Sequence, residues 1–368
     1  MLNLACGIAN QGIKVDLLLT KAEGEYLDKV PEDIRLIDFN AANFGKDRIF
    51  NLPTGLASTG SLFKLIAYLK QEQPLALLSA THYPNEIAII AKHLAKVGTR
   101  VIVSEHTTLS VEAAKVEQVS ARFIPITARF LYPRADGIVT VSDGVAEDLS
   151  QITSIGKDKI EVIYNPVITS DLLVKAKETV DHPWFQPGEV PVILGIGRLV
   201  AQKDFSTLIR AFAKVRQLKR ARLMILGSGR EEEKLKALAR ELGIEEDIAW
   251  MGFVDNPFAY MQRAKLFVLS SVWEGLPTVL IEALAVGVSV VSTNCESGPQ
   301  EILAGGKYGK LVSVGDSEGM AGAILRVLSG ESKRVDSGWL KQFTLENSVQ
   351  KYLEILGVNK KGSILARK

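Results

Sequence analysis

Short runs rich in valine, isoleucine and leucine alternate along nearly the whole chain with longer stretches whose apolar residues recur every three or four positions. The runs predict strands over Lys14–Thr20, Ile34–Asp38, Leu75–Ser79, Arg100–Glu105, Gly137–Val141 and Ile160–Tyr164. A second series follows over Val190–Ile196, Arg222–Gly227, Ile248–Gly252, Leu266–Ser270, Val288–Ser292 and Lys310–Val314. The longer stretches predict helices between them, among others over Leu62–Gln71, Glu86–Lys96, Phe205–Leu218, Glu231–Leu242 and Ser317–Leu328. Apolar strands separated by helices belong in parallel sheets covered on both faces. The rhythm breaks once, over Asn165–Glu189, where Pro166, His182-Pro183-Trp184 and Pro187-Gly188 read as a linker. The expected fold class is α/β, with two doubly wound, Rossmann-like domains facing each other across a cleft. Ligands of such sheets sit at the carboxyl ends of the strands.

Composition removes several function classes. The chain of 368 residues is 47% hydrophobic and 23% charged, ordinary for a globular protein with room for two cores. A net charge of +2 gives no case for nucleic acid as partner. The two cysteines, Cys6 and Cys295, make no disulfide framework and fit a reducing, cytoplasmic setting. The four histidines are scattered, with no metal-ligand spacing. No apolar run reaches the roughly 20 residues of a membrane-spanning helix. The opening stretch, interrupted by Asn3, Asn10, Gln11 and Gly12 and lacking a basic start, does not read as a signal peptide.

The candidate chemistry lies at the predicted strand ends. Glu274-Gly275-Leu276-Pro277-Thr278 puts a carboxylate in a turn before a helix, and Glu282 follows inside the otherwise apolar Val279–Val286. A carboxylate among such neighbours is costly unless something binds it. Pro277 suits the first turn of that helix, whose N-terminus is a natural anion site, and Gly287 suits its stop. Gly195-Ile196-Gly197-Arg198, with Lys203 five residues on, combines close backbone approach with two cations, which fits a diphosphate. Gly227-Ser228-Gly229-Arg230 repeats the glycine pattern after the next strand, and Met251-Gly252-Phe253 ends the one after that. Ser297-Gly298-Pro299-Gln300-Glu301 starts another helix, where Glu301 by itself reads as a partner of the helix dipole. In the first half, His106 follows the Arg100–Glu105 strand within Ser104-Glu105-His106-Thr107-Thr108.

Taken together these segments resemble the glycogen-synthase-like retaining glycosyltransferases of the GT-B fold, especially bacterial enzymes that build surface glycans. The matching features are Gly197-Arg198 with Lys203, the Glu274–Glu282 pair, Gly298-Pro299-Gln300-Glu301-Ile302, Ala135–Ser142 and Ile163-Tyr164-Asn165-Pro166. Gln300 stands where an acid or a base is also common in the family. The resemblance implies an N-terminal acceptor-side domain over 1–168, a linker over 169–189 and a nucleotide-sugar domain over 190–340. It also implies a C-terminal helix and basic tail over 341–368 that pack back on the first domain. Arg198 and Lys203 would hold the donor diphosphate, Glu282 the ribose hydroxyls, and Glu274 would lie near the donor sugar. Gly197, Gly227, Arg230, Gly275, Leu276, Pro277 and Thr278 would line the donor, and Phe253 would sit by the base. His106 matches the family's first-domain histidine near the donor sugar. The implied reaction is retaining, without metal or cofactor. It moves a hexose or N-acetylhexosamine, from a UDP-sugar by expectation, to a glycan or polyprenyl-diphosphate-linked acceptor.

Three further expectations complete the reading. The chain opens with a helix pattern, Met1–Gly12, where the family begins with a strand and a Gly-rich loop. A preceding segment of roughly 15–25 residues is expected to carry them, from strand rise plus a turn. Without that segment the chain reads as a truncated inactive form or a non-catalytic nucleotide-sugar-binding protein, and less readily as a nucleotide-sugar epimerase. The basic and apolar stretch Arg122–Arg134 is a candidate for peripheral contact with an anionic membrane at the inner face of the plasma membrane. Donor specificity is expected to depend on loops such as Phe39–Thr59.

Overall fold

A computed structural model describes residues 1–22, 27–39, 57–115, 119–332 and 334–358. Most of the expected specificity loop Phe39–Thr59 lies outside the described residues. The chain forms two compact units, one of residues 1–166 and the chain from Leu345 on, the other of Val167–Thr344.

The first unit carries helix α1 (Leu2–Ala9), strands β1 (Asp16–Leu19) and β2 (Arg35–Asp38), then α2 (Ala57–Glu72), β3 (Ala76–Ala80), α3 (His82–Ala95) and β4 (Arg100–Glu105). Helices α4 (Leu109–Lys115) and α5 (Ile124–Leu131), strand β5 (Gly137–Thr140), α6 (Asp143–Thr153) and β6 (Ile160–Val162) follow. Strands β3 to β6 form one parallel sheet in chain order, and β1 and β2 pair separately, also parallel. The period-2 geometry of strands divides the apolar run of β4 between two cores. Val101 and Val103 point to the side covered by α3, α5 and α6. Ile102 points to the side covered by α1 and by the C-terminal helix of the chain, Leu345–Leu356. That helix is tied to the first unit where it begins: the Ser348 hydroxyl donates to the Tyr164 carbonyl at 2.8 Å. It presses on α1 at Gly7, where a Cβ would come within 2.6 Å of Val349.

The second unit holds α7 (Ser170–Lys175) and six strands, β7 (Val192–Ile196), β8 (Arg222–Leu226), β9 (Ile248–Gly252), β10 (Leu266–Leu269), β11 (Ser289–Thr293) and β12 (Lys310–Val312). Between and after them lie α8 (Phe205–Leu218), α9 (Glu232–Glu241), α10 (Pro257–Arg263), α11 (Thr278–Ala285), α12 (Pro299–Ile302), α13 (Ser317–Leu328) and α14 (Ser337–Leu340). Side chains start several helices as the sequence demands: Asp204 caps α8, Asn256 caps α10 and Asp316 caps α13. One expectation needs correction. The stretch read as a linker, 169–189, folds as part of this unit. Its helix α7 is capped by Thr169, and the Asn256 amide donates to the Lys175 carbonyl at 2.9 Å. Pro183, one of the prolines that marked it as a linker, instead starts a short turn, Pro183–Phe185, whose Trp184 stacks under Arg222.

The six-stranded sheet is parallel in the order β12-β11-β10-β7-β8-β9. Chain order therefore reverses between β7 and β10. Each of these strands sends its connection to the opposite side, and the carboxyl ends at such a reversal are where doubly wound sheets bind ligands.

Candidate functional site

The loops leaving β7, β8 and β9 are laced together by backbone. The Gly197 amide donates to the Leu226 carbonyl at 3.0 Å, Leu199 to Ser228 at 2.9 Å, Glu231 to Leu199 at 3.0 Å and Gly227 to Gly252 at 2.6 Å. This contact explains the glycine repeat. Gly227 has φ +128°, and a Cβ there would stand 2.0 Å from the Gly197 carbonyl oxygen. At Gly229 a Cβ would stand 2.4 Å from the Leu199 oxygen. Only glycine lets these backbones meet. With its backbone committed inward, the rim turns Arg198, Arg230 and Phe253 to solvent. Neither arginine has an acidic partner among the described residues, so two guanidinium groups stand unneutralised at the strand ends.

Across the order reversal, the loops after β7 and β10 are fastened to each other. The Val272 amide donates to Gln202 at 2.8 Å, the Gln202 amide to Trp273 at 3.0 Å, and the Ser270 hydroxyl to Lys203 at 2.7 Å. These bonds bring together two residues 71 positions apart: the Lys203 ammonium pairs with Oε1 of Glu274, and the pair is largely shielded from solvent. The Ser271 hydroxyl donates to the same oxygen at 2.6 Å. The methylene stem of Lys203 runs beside Gly197, within 3.5 Å of where a Cβ would lie.

The turn after Glu274 is held from a third strand end. The Ser297 hydroxyl donates to the Gly275 carbonyl at 2.7 Å, and Gly298 packs so closely that a Cβ would meet Pro277 at 2.4 Å. Glu301 accepts from the Gly298 amide at 3.2 Å and so caps its own helix. Leu276 and Pro277 are buried. Pro277 is the N-cap of α11 and not part of its first turn, and it gives the helix no side-chain cap. Four residues into α11, Glu282 is half-buried, with the Thr278 hydroxyl as its hydrogen-bond partner. Burial among apolar neighbours pushes its pKa up to about 7. No basic residue pairs with it among the described residues. Cys295, buried close to Glu274, has its thiol pushed up to about 12, chiefly by burial, which makes it a poor nucleophile.

Gly197, Arg198, Lys203, Gly227, Arg230, Phe253, Glu274 to Thr278 and Glu282 thus all belong to the second unit and to the carboxyl ends of its strands. His106 belongs to the first unit, just past β4. Its Nε2 lies 3.1 Å from the Ser104 hydroxyl, and burial lowers its pKa to about 4, so the ring is neutral at physiological pH. Beside it is a group that sequence reasoning passed over. Glu105 is fully buried; it accepts from the Tyr132 hydroxyl at 2.6 Å and from the His106 amide at 2.9 Å. Burial pushes its pKa up to about 7. The signal was present, since a carboxylate ending the apolar Val101-Ile102-Val103 is as anomalous as Glu282 in its helix. The serines that orient Glu274 and Gly275 carried no such signal.

A parallel sheet whose chain order reverses between β7 and β10, with glycines at the strand ends, defines a Rossmann-like domain. The chain belongs to the GT-B glycosyltransferases: residues 1–171 match the family model Glycosyltransferase Family 4 and residues 176–338 match Glycosyl transferases group 1. Among curated relatives, it is 35% identical over 251 residues to an N-acetylgalactosamine-N,N'-diacetylbacillosaminyl-diphospho-undecaprenol 4-alpha-N-acetylgalactosaminyltransferase of Campylobacter jejuni, covering 68% of this chain and 66% of that one. It is 33% identical over 205 residues to a lipopolysaccharide 1,6-galactosyltransferase of Salmonella typhimurium, covering 54% of each. The chain thus spans between about half and two thirds of these relatives' length. Similar solved folds include the apo lipopolysaccharide outer core galactosyltransferase WaaB, with TM-score 0.72 at 22% identity over 96% of this chain and 93% of that one. Another is the Anabaena protein HepE in complex with UDP-glucose, with TM-score 0.72 at 18% identity over 96% and 95%.

Proposed function

We propose that this protein is a retaining glycosyltransferase that moves a hexose or N-acetylhexosamine from a UDP-sugar to a glycan or lipid-linked oligosaccharide in surface-polysaccharide synthesis. The observation that carries the reading is the Lys203–Glu274 pair beside Gly197 at the order reversal, with Glu282, which has no basic partner among the described residues, on the adjoining helix. Lys203 and Arg198 bind the diphosphate and stabilise it as it departs, the main electrostatic task of such a reaction. Arg230 adds charge at the next strand end. Gly275, Leu276, Pro277 and Thr278 line the phosphates at the start of α11, Glu282 accepts both ribose hydroxyls, and Phe253 stacks on the base. Glu274 holds Lys203 in place and contacts the sugar. No metal or cofactor is needed, because the two cations carry the leaving-group charge. Two relatives support the acceptor class by name: one acts on an undecaprenyl-diphosphate-linked sugar with an alpha linkage, the other on lipopolysaccharide.

Calorimetric titration with UDP and a panel of UDP-hexoses and UDP-N-acetylhexosamines tests the donor half of the reading. Binding of at least one sugar nucleotide, weakened in Arg198→Ala, is expected; no binding by any of them overturns it. Product NMR with the accepted donor then reads the anomeric configuration, and inversion would overturn the retaining mechanism.

The same proposal includes peripheral membrane contact through α5. No helix among the described residues is long and apolar enough to cross a membrane. Helix α5 and its flanks expose Phe123, Ile126 and Phe130 at 57%, 53% and 62%, beside the exposed Arg122, Arg129 and Arg134. Rings that size, left in water among cations, suit the interface of an anionic bilayer. The protein is expected to float with phosphatidylglycerol vesicles at low salt, to be released at high salt, and to lose flotation in an Ile126→Ser, Phe130→Ser double variant. Absence of flotation at low salt refutes the contact.

A further inference from the structure

The imidazole of His106 ends a short hydrogen-bonded chain. Its Nε2 is 3.1 Å from Oγ of Ser104, and that Oγ is 3.1 Å from the Tyr352 hydroxyl on the C-terminal helix. Ser104 and Tyr352 are completely shielded, at 0% and 1% exposure. Among the described residues Tyr352 has no other partner for its hydroxyl, and Ser104 Oγ has only these two. The chain therefore dead-ends inside the protein at Tyr352. Two hydroxyl hydrogens and one imidazole hydrogen must be distributed along it. If Tyr352 donates to Ser104 and Ser104 donates to Nε2, both buried hydroxyl hydrogens have acceptors, and the imidazole hydrogen lies on Nδ1 of a ring that is only partly buried. If Nε2 carries the imidazole hydrogen and donates to Ser104, then either the Ser104 or the Tyr352 hydrogen is left buried without an acceptor. That arrangement is penalised because burial has already stripped the hydroxyl of water. The ring is neutral, so it has a single N–H to place.

We propose that Ser104, backed by Tyr352, fixes His106 as its Nδ1–H tautomer. The side chain then offers a hydrogen-bond donor at Nδ1, which makes no other polar contact among the described residues, and it has no free lone pair with which to take a proton. His106 therefore presents a hydrogen-bond donor and not a base. Ser104 and Tyr352 are positioning residues for it.

The tautomer is read directly from long-range proton–nitrogen spectra of the whole protein labelled at histidine with nitrogen-15, at neutral pH. Only four histidines contribute, and His106 is assigned by the signals missing from His106→Asn or, if that variant does not fold, from His106→Gln. The expected result is a protonated, pyrrole-type Nδ1 and an unprotonated, pyridine-type Nε2. In Ser104→Ala the two types are expected to exchange, because the tautomer of an unconstrained histidine favours Nε2–H. A wild-type His106 protonated at Nε2 overturns the proposal, as does a folded Ser104→Ala whose His106 spectrum is unchanged. Failure of every UDP-sugar to bind would overturn the donor-site reading and leave this measurement standing, so the two are distinguished.

Discussion

Lys203→Ala is expected to lower sugar transfer by about 100-fold or more and to destabilise the second unit at the same time. Removing one preorganised stabiliser of departing charge typically costs 10² to 10³ in rate. Lys203 is also the counter-charge of Glu274 in a shielded pair, with side-chain exposures of 15% and 8%. Truncating one member leaves the other carrying an uncompensated charge, at a cost of about 3–5 kcal/mol. The two effects separate in a double-mutant cycle. Adding Glu274→Gln to Lys203→Ala should restore much of the stability, since the stranded carboxylate is gone, and restore none of the activity, since the diphosphate still lacks its ammonium. Thermal unfolding and turnover of the four proteins check this. Recovery of activity in the double variant would mean that the pair is only structural.

Glu282→Gln should push stability and affinity in opposite directions, which a merely structural glutamate would not do. An acid whose folded pKa lies near 7, above its ordinary 4.5, holds its proton more tightly in the folded state, so its carboxylate form opposes folding. That penalty is absent below about pH 4.5, grows as the pH rises and is complete above about pH 7. With roughly 1.4 kcal/mol per pK unit, the ligand-free variant should gain roughly 2–3 kcal/mol over wild type at pH 8 and nothing near pH 4. Glu105, raised for the same reason, contributes a second fall over the same range that the variant leaves in place. A bound ribose reverses the account, because its hydroxyls donate to the carboxylate and hydrogen bonds to a charged group are worth about 1.5–3 kcal/mol each. UDP affinity in the variant should therefore drop by about tenfold or more. Unfolding curves across this pH range and UDP titrations check the two signs; unchanged UDP affinity would remove Glu282 from the ribose site.

Much of this was legible in the chain. Strand runs such as Arg100–Glu105 and Ile248–Gly252, and helices such as Phe205–Leu218 and Ser317–Leu328, follow from local apolar spacing and coincide with the observed elements. The anomaly of Glu282 was visible because a carboxylate in an apolar helix is conspicuous without knowledge of any partner. The linker was misjudged for the complementary reason: prolines and a histidine at 182–187 look like punctuation, while what folds that stretch onto the second unit is tertiary, the Asn256 side chain and Arg222 over Trp184. The role of the glycine repeat was equally hidden, since Gly227 is required by the carbonyl of Gly197, thirty residues earlier in the chain.

The sequence by itself determined most of the strands and helices, that the sheets are parallel and covered on both faces, and that Glu282 is out of place in its apolar helix. Those properties depend on periodicity and desolvation, which act over a few residues. The tertiary structure alone decided that the strand order reverses between β7 and β10, that Lys203 and Glu274 meet there, and that Ser104 and Tyr352 close on His106. These contacts join residues far apart in the chain, and what selects them is the pairing of strand edges and the burial of polar groups that must find partners, which no local pattern records.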